Sequence, residues 1–230
     1  MVECIRDKLS RNPKSEIRND LSLLYLITDR HQTGGRELLQ VIGEALEGGV
    51  RLIQLREKDL SVRALYNLAL QVRELTSSYD AKLLINDRLD VAMAVKADGV
   101  HLPSHSFTPG EARNLLGTGK LIGVSAHSAE DAARAEEEGA DFITFSPIYD
   151  TPSKAAYGKP QGIERLKTVC NRVDLPIFAL GGIKVGNISD VMSAGANGAA
   201  IISALMAADD VKKSAKKLMT CVKGFKNKKY

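Results

Sequence analysis

Short apolar runs alternate with amphipathic stretches along almost the whole chain, and this alternation restricts the fold more than any single motif does. From Ser22 onward, runs rich in valine, isoleucine and leucine occur at Leu23–Thr28, Leu52–Leu55, Lys82–Asn86, Gly99–His101, Leu121–Ser125, Phe142–Phe145, Ile177–Leu180 and Ala199–Ile202. They recur roughly every 20–30 residues, the length of one strand plus one crossover helix. Each run is nearly apolar on both faces, as strands are when helices cover a parallel sheet. The intervening helices are legible too. Arg36–Glu47 places Leu38, Leu39, Ile42 and Leu46 on one face, and Ala129–Glu138 follows Ser128, a natural N-cap, and stops at Gly139.

Three helices end alike, at Glu47-Gly48-Gly49-Val50, Glu138-Gly139-Ala140-Asp141 and Ala194-Gly195-Ala196-Asn197, where glycine permits the left-handed turn back to the next strand. Eight strand–helix units in a row, without a long linker, predict an α/β chain folded as a single (β/α)8 TIM barrel. The rival, an open doubly wound sheet, usually carries a glycine-rich first turn, and Asp29–Thr33 has none. The length of 230 residues suits one barrel. The polar residues 1–20 precede the repeats and are expected to form an extra N-terminal helix capping the barrel floor. Residues 21–222 would be the barrel, and 223–230 a basic C-terminal tail.

Composition narrows the class further. Hydrophobic residues make up 44% and charged residues 26%, the balance of an ordinary globular protein with a real core. Much of the +4 net charge lies near the end, from Lys212, Lys213, Lys216 and Lys217 to Lys229. No aromatic residues interleave there as a base-stacking surface needs, so a solvated helix face is expected, and no nucleic acid. Cys4, Cys170 and Cys221 are odd in number and far apart, without a CxxC pair or Cys/His cluster, which fits reduced thiols in a cytoplasmic protein. Met1–Asp7 shows no apolar run behind its charges, and no stretch is long and apolar enough for a membrane. Expected partners are small phosphorylated substrates, and a homodimer is compatible with the sequence.

In a barrel, polar residues at the carboxyl ends of strands form the active site, and the informative residues fall there. Strand two ends in Gln54-Leu55-Arg56-Glu57-Lys58. Alternation turns Gln54, Arg56 and Lys58 to one side, a set suited to an anion with several oxygens such as a diphosphate. The competing expectation is a self-neutralised strand end, with Glu57 and Asp59 paired to those cations. Strand three ends in Asn86-Asp87-Arg88, where Asp87 either holds Mg2+, and through it a diphosphate, or caps the next helix. After strand six, Thr151-Pro152-Ser153-Lys154 offers two hydroxyls and a lysine on a loop that is either a lid or a plain surface turn. Strand seven runs into Gly181-Gly182-Ile183 and strand eight into Ile202-Ser203. Glycines there expose backbone N–H groups, and paired loops after strands seven and eight are a recurrent phosphate site.

Taken together, these segments resemble the thiamin phosphate synthase and thiazole tautomerase superfamily from Leu23 to about Ala207. The matching pieces are Tyr25-Leu26-Ile27-Thr28-Asp29, Gln54–Lys58, Leu84–Arg88, Asp98–Leu102, Gly123-Val124-Ser125-Ala126-His127, Thr151–Lys154 and Gly181–Ile183. The family's synthases join hydroxymethylpyrimidine diphosphate to hydroxyethylthiazole phosphate, releasing pyrophosphate. The resemblance implies that Gln54, Arg56, Lys58, Asn86 and Lys154 hold the pyrimidine diphosphate and that Ser125 lies close to the reacting pyrimidine. It implies that Thr151 and Ser153, with Gly182 and the Ile202-Ser203 turn, hold the thiazole phosphate. Its cofactor would be Mg2+ on Asp87.

One position departs from the synthase pattern. After His101-Leu102 the chain reads Pro103-Ser104-His105-Ser106-Phe107, with Ser106 where synthases carry a second acidic Mg2+ ligand. A neutral hydroxyl is a poor ligand for a hard cation. There the chain resembles the tautomerases, which aromatise a thiazole carboxylate phosphate by proton transfer at a histidine matching His127. A neutral imidazole at a strand end can take up and return a proton near neutral pH, although capping of the following helix would also account for it. The retained set Gln54, Arg56, Lys58, Asp87 and Lys154 favours the synthase, since a tautomerase binds no diphosphate. A barrel that binds such phosphates without turning them over is a third reading.

Overall fold

The computed structural model describes residues 23–151 and 160–226. The expected N-terminal helix, Ser153 and Lys154 lie outside the described residues. The chain runs β1 (Leu24–Ile27), α1 (Leu38–Glu47), β2 (Leu52–Leu55), α2 (Val62–Ser78), β3 (Lys82–Asn86), α3 (Leu89–Ala94), β4 (Gly99–Leu102) and α4 (Pro109–Leu116). It continues through β5 (Leu121–Ala126), α5 (Ala129–Glu137), β6 (Phe142–Phe145), α6 (Gly162–Arg172), β7 (Ile177–Leu180), α7 (Ile188–Ser193), β8 (Gly198–Ile201), the one-turn α8 (Ser203–Met206) and α9 (Val211–Lys226). The strands close into a barrel in sequence order, each parallel to the next and β8 parallel to β1.

The expected (β/α)8 barrel is therefore the fold, and β2, β3, β6 and β7 begin and end where the apolar runs do. The first helix starts at Leu38 rather than Arg36. The guanidinium of Arg36 is spent on the preceding turn, donating to the Thr33 carbonyl at 2.8 Å and to the Met206 carbonyl at 3.0 Å. At the other end of the molecule α9 runs to Lys226. It buries Val211, Ala215, Leu218 and Val222 against α1 and α7 and leaves Lys212, Lys213, Lys216, Lys217 and Lys223 exposed.

A repeated device closes the amino end of the barrel. Asp98, Asp141 and Asn197 each immediately precede an even-numbered strand, and the side chain of each accepts a backbone N–H from the first or second residue of the odd-numbered strand beside it. The donors are Leu83 at 2.7 Å, Ile122 at 2.7 Å and Ile177 at 2.9 Å. Arg73 and Arg113 complete the charge balance on the two aspartates at 2.5 and 2.7 Å. The polar groups at this end are thus used up internally, which accords with a stabilising rather than catalytic role.

Most of the core lies between strands and helices, around residues such as Val41, Ile42, Val72, Ile143 and Leu218. A second cluster fills the barrel itself: Tyr25, Ile27, Leu52, Leu84, Phe142, Phe178 and Ala200. Large rings fit inside because small residues face them. A Cβ added at Gly123 would lie 2.3 Å from the Phe142 ring and 2.6 Å from His101 Nδ1, so only glycine leaves room for both.

Candidate active site

The floor of the site is an aromatic plug. The rings of Tyr25, Phe142 and Phe178 meet edge to face with centroids 5.5–5.7 Å apart, a geometry aromatic quadrupoles favour. Above it lies a buried polar layer. Gln54 is 1% exposed and donates its amide N–H to Tyr25 Oη at 2.8 Å, so it sits one layer below the rim rather than beside Arg56. His101 turns Nε2 to Ser125 Oγ at 3.0 Å and to Thr144 Oγ1 at 3.3 Å, while its buried Nδ1 has no partner. Burial, helped by the nearby Arg56 charge, holds the His101 pKa at about 3, so the ring is neutral.

That shift has a consequence for stability. The unfolded chain takes up a proton on this histidine below its ordinary pKa of 6.5, whereas the folded chain does not until about 3. Stability therefore falls as pH drops through that window, by about 2 kcal/mol at pH 5. Denaturant midpoints at pH 7 and pH 5 should show a drop in the native protein that His101→Gln lacks.

At the rim, β2 ends at Leu55 and Arg56 is half-buried, with Lys58 exposed on the following turn. The self-neutralised arrangement does not form. Glu57, 5% exposed, accepts from Thr28 Oγ1 at 2.6 Å, from the Arg30 backbone N–H at 3.1 Å and from the Arg30 guanidinium at 3.2 Å. Asp59 takes the Arg30 guanidinium at 2.6 and 2.5 Å and lies 3.0 Å from His31 Nε2. Among the described residues, neither Arg56 nor Lys58 has a carboxylate at ion-pair distance. Partial burial and the Arg56 charge lower the Lys58 pKa, partly offset by Asp87.

Lys58, Asn86 and Asp87 line one cavity of about 230 Å3 together with Arg88 and His105. Asp87 does not cap α3: the cap position is Arg88, without a side-chain hydrogen bond, and Asp87 itself is left-handed with φ of 64°. Such a conformation costs a non-glycine residue energy and is common at functional sites. Asp87 also borders a neighbouring cavity of about 720 Å3 with Ser106, whose buried hydroxyl has no partner. Among the described residues no three His, Cys, Asp or Glu side chains cluster as a metal cage. An Mg2+ ion nonetheless fits this chemistry, because it binds through one or two carboxylates and fills its remaining positions with water and phosphate oxygens.

The opposite end of the rim is backbone-rich, with Asp150 and Lys184 among the residues that line it. A cavity of about 670 Å3 is lined by Thr151, Gly181, Gly182, Ile202 and Ser203, with Gln32. Gly182 has φ of 66°, and a Cβ there would lie 2.7 Å from Tyr149 Cβ, so the turn requires glycine on two counts. Its carbonyl accepts from Asn187 Nδ2 at 3.0 Å, which fixes the loop. α8 opens at Ser203, and N–H groups at a helix start have no partner within the helix. Thr151 adds a buried hydroxyl without a partner. Exposed backbone donors and hydroxyls beside Lys184 suit a phosphate monoester.

His127 is the residue after β5. Its Nδ1 lies 2.9 Å from the Ser146 carbonyl oxygen, which can only accept, so Nδ1 carries a proton and the matching neutral tautomer has its lone pair at Nε2. The ring does not cap α5. Ser128 Oγ does, accepting the Asp131 N–H at 3.0 Å. Tyr25, His101, Thr144 and Arg30 join the site without a role expected for them from the sequence. The period-two alternation of β1, β4 and β6 could have placed the first three inside the barrel. No local signal pairs Arg30 with Glu57, 27 residues away.

Known proteins resemble this chain over nearly its whole barrel. The sequence model of the family described as thiamine monophosphate synthase matches residues 24–205. A Geobacter sulfurreducens protein named "Putative thiamine-phosphate synthase" is 56% identical over 196 residues, covering 85% of this chain and 92% of its own. A thiamine-phosphate synthase of Syntrophomonas wolfei is 43% identical over 202 residues, covering 88% and 96%. The solved thiamine phosphate pyrophosphorylase from Pyrococcus furiosus superposes with a TM-score of 0.83 at 36% identity, covering 91% of this chain and 98% of that one. Among the described residues no helix is long and apolar enough to cross a membrane. With a barrel whose rim carries a cationic end and a glycine-rich end, and with relatives this similar over nearly their whole length, the chain belongs to the thiamine monophosphate synthase family.

Proposed function

We propose that this chain is a transferase of thiamin biosynthesis that joins hydroxymethylpyrimidine diphosphate to hydroxyethylthiazole phosphate, giving thiamin phosphate and pyrophosphate. The observation that carries this reading is the division of one rim into two anion sites of different character. Among the described residues Arg56 and Lys58 stand without an ion-paired carboxylate at one end, and the Gly182 and Ser203 loops present backbone donors at the other. A diphosphate leaving group needs the first, and a phosphate monoester needs the second.

The bond from the pyrimidine methylene carbon to the diphosphate oxygen breaks, and its electron pair leaves with the diphosphate. The resulting pyrimidine carbocation is captured by the lone pair of the thiazole nitrogen, forming the new C–N bond. Catalysis is then electrostatic stabilisation of the leaving group plus positioning, and it asks for no nucleophilic side chain. Arg56 and Lys58, with Lys154, stabilise the departing charge. Asn86 holds the diphosphate, and Mg2+ bound at Asp87 would supply further positive charge to it. The floor under the cation is kept uncharged by the neutral His101, held against Ser125. Thr151, Ser153, Gly181, Gly182, Ile202 and Ser203 hold the thiazole phosphate.

The test is direct: purified protein, both substrates and Mg2+ should yield thiamin phosphate and pyrophosphate. A second reading, isomerisation of the carboxylated thiazole phosphate, is favoured by the free Nε2 of His127. Conversion of that compound with no coupled product would overturn the synthase reading, as would substrate binding with neither product. Ser106→Asp places a second carboxylate beside Asp87, and the Mg2+ concentration giving half-maximal rate should fall roughly tenfold. An unchanged Mg2+ dependence would exclude a metal role at that position.

A further inference from the structure

We infer that Arg30 is a positioning residue that withholds Glu57 and Asp59 from Arg56 and Lys58, and so keeps those two cations available to an incoming diphosphate. The inference rests on the proposed reaction only in its choice of ligand. The stretch Arg56-Glu57-Lys58-Asp59 alternates charge, so mutual neutralisation is open to it locally. A rim neutralised in this way would have to break ion pairs before binding any anion.

The structure instead commits all four carboxylate oxygens elsewhere. Glu57 Oε1 accepts from Thr28 Oγ1 at 2.6 Å, and Oε2 accepts from the Arg30 N–H at 3.1 Å and its guanidinium at 3.2 Å. Asp59 Oδ1 and Oδ2 accept from the two terminal nitrogens of the same guanidinium, and Oδ2 also meets His31 Nε2 at 3.0 Å. One planar fork thereby serves two acids, which a lysine's single ammonium cannot match. Thr28 Oγ1 also accepts the Arg56 backbone N–H at 2.9 Å, so the group that holds Glu57 outward fixes the backbone at Arg56. Burial of Glu57 makes the arrangement persistent, whereas Asp59 at the surface adds the second prong.

The test measures binding of inorganic pyrophosphate by calorimetry, with thermal melting followed in parallel. Arg30→Met releases both acids toward Arg56 and Lys58, and pyrophosphate affinity should fall about tenfold or more. The triple variant Arg30→Met/Glu57→Gln/Asp59→Asn removes the released charges and should recover affinity to within a few-fold of the native protein. If Arg30 only shaped the loop, the triple variant would bind as weakly as the single one, and that result overturns the inference. So does an unchanged affinity in Arg30→Met. If Arg30→Met does not fold, Arg30→Lys replaces it, with a smaller loss expected and the same recovery in the triple background. Native protein that binds pyrophosphate yet makes no thiamin phosphate would sink the proposed reaction and leave this inference standing.

Discussion

Arg56→Gln is expected to lower kcat/KM by about 10²–10³-fold, the cost usually seen when one preorganised donor to developing transition-state charge is removed. The effect should fall mainly on kcat. Charge on the leaving oxygen grows as the C–O bond breaks, so a fixed cation there stabilises the transition state more than the bound substrate. Three features place Arg56 for this work. It is half-buried at the end of β2, it has no acid partner among the described residues, and its charge helps keep His101 neutral. Single-turnover rates with saturating pyrimidine diphosphate would check the point. An effect confined to KM would mean that Arg56 binds the ground state only.

Phe142→Ala should destabilise the fold by about 3–5 kcal/mol, a large share of what a domain of this kind possesses. Phe142 is fully buried, touches the rings of Tyr25, His101 and Phe178, and packs over Gly123. Truncation opens a cavity that rigid strands cannot collapse into, since each is hydrogen-bonded on both sides. Urea denaturation gives the stability directly. Because the ring also floors the site under His101, the variant should lose activity beyond its loss of folded protein, measured as rate per folded molecule. Wild-type rates per folded molecule would show that the polar layer does not depend on its support.

The eight-fold alternation made the barrel legible, because a parallel strand covered on both faces writes an apolar run and its crossover helix writes a 3.6-residue period. Strand ends marked the rim for the same reason: polarity returns where the chain leaves the sheet. Backbone chemistry alone led to the expectation of one site at Gly181-Gly182 and Ile202-Ser203, and the structure brings these residues together with Thr151 around one cavity. Gln54 was not readable in the same way. Its inward direction followed from alternation, but its depth depended on a hydroxyl from Tyr25, a partner 29 residues away.

The sequence by itself thus determined which residues point inward and which strand ends carry charge, because both follow from the local period of the backbone. Only the tertiary structure decided which charges remain available. Glu57 could pair with its neighbours Arg56 and Lys58 or with Arg30, and closure of the barrel brought the β1 loop beside β2 and selected Arg30. The same closure surrounded His101 with aromatic rings and so made it neutral. Ion pairing and proton affinity depend on distance and burial, and neither is written in the spacing of residues along the chain.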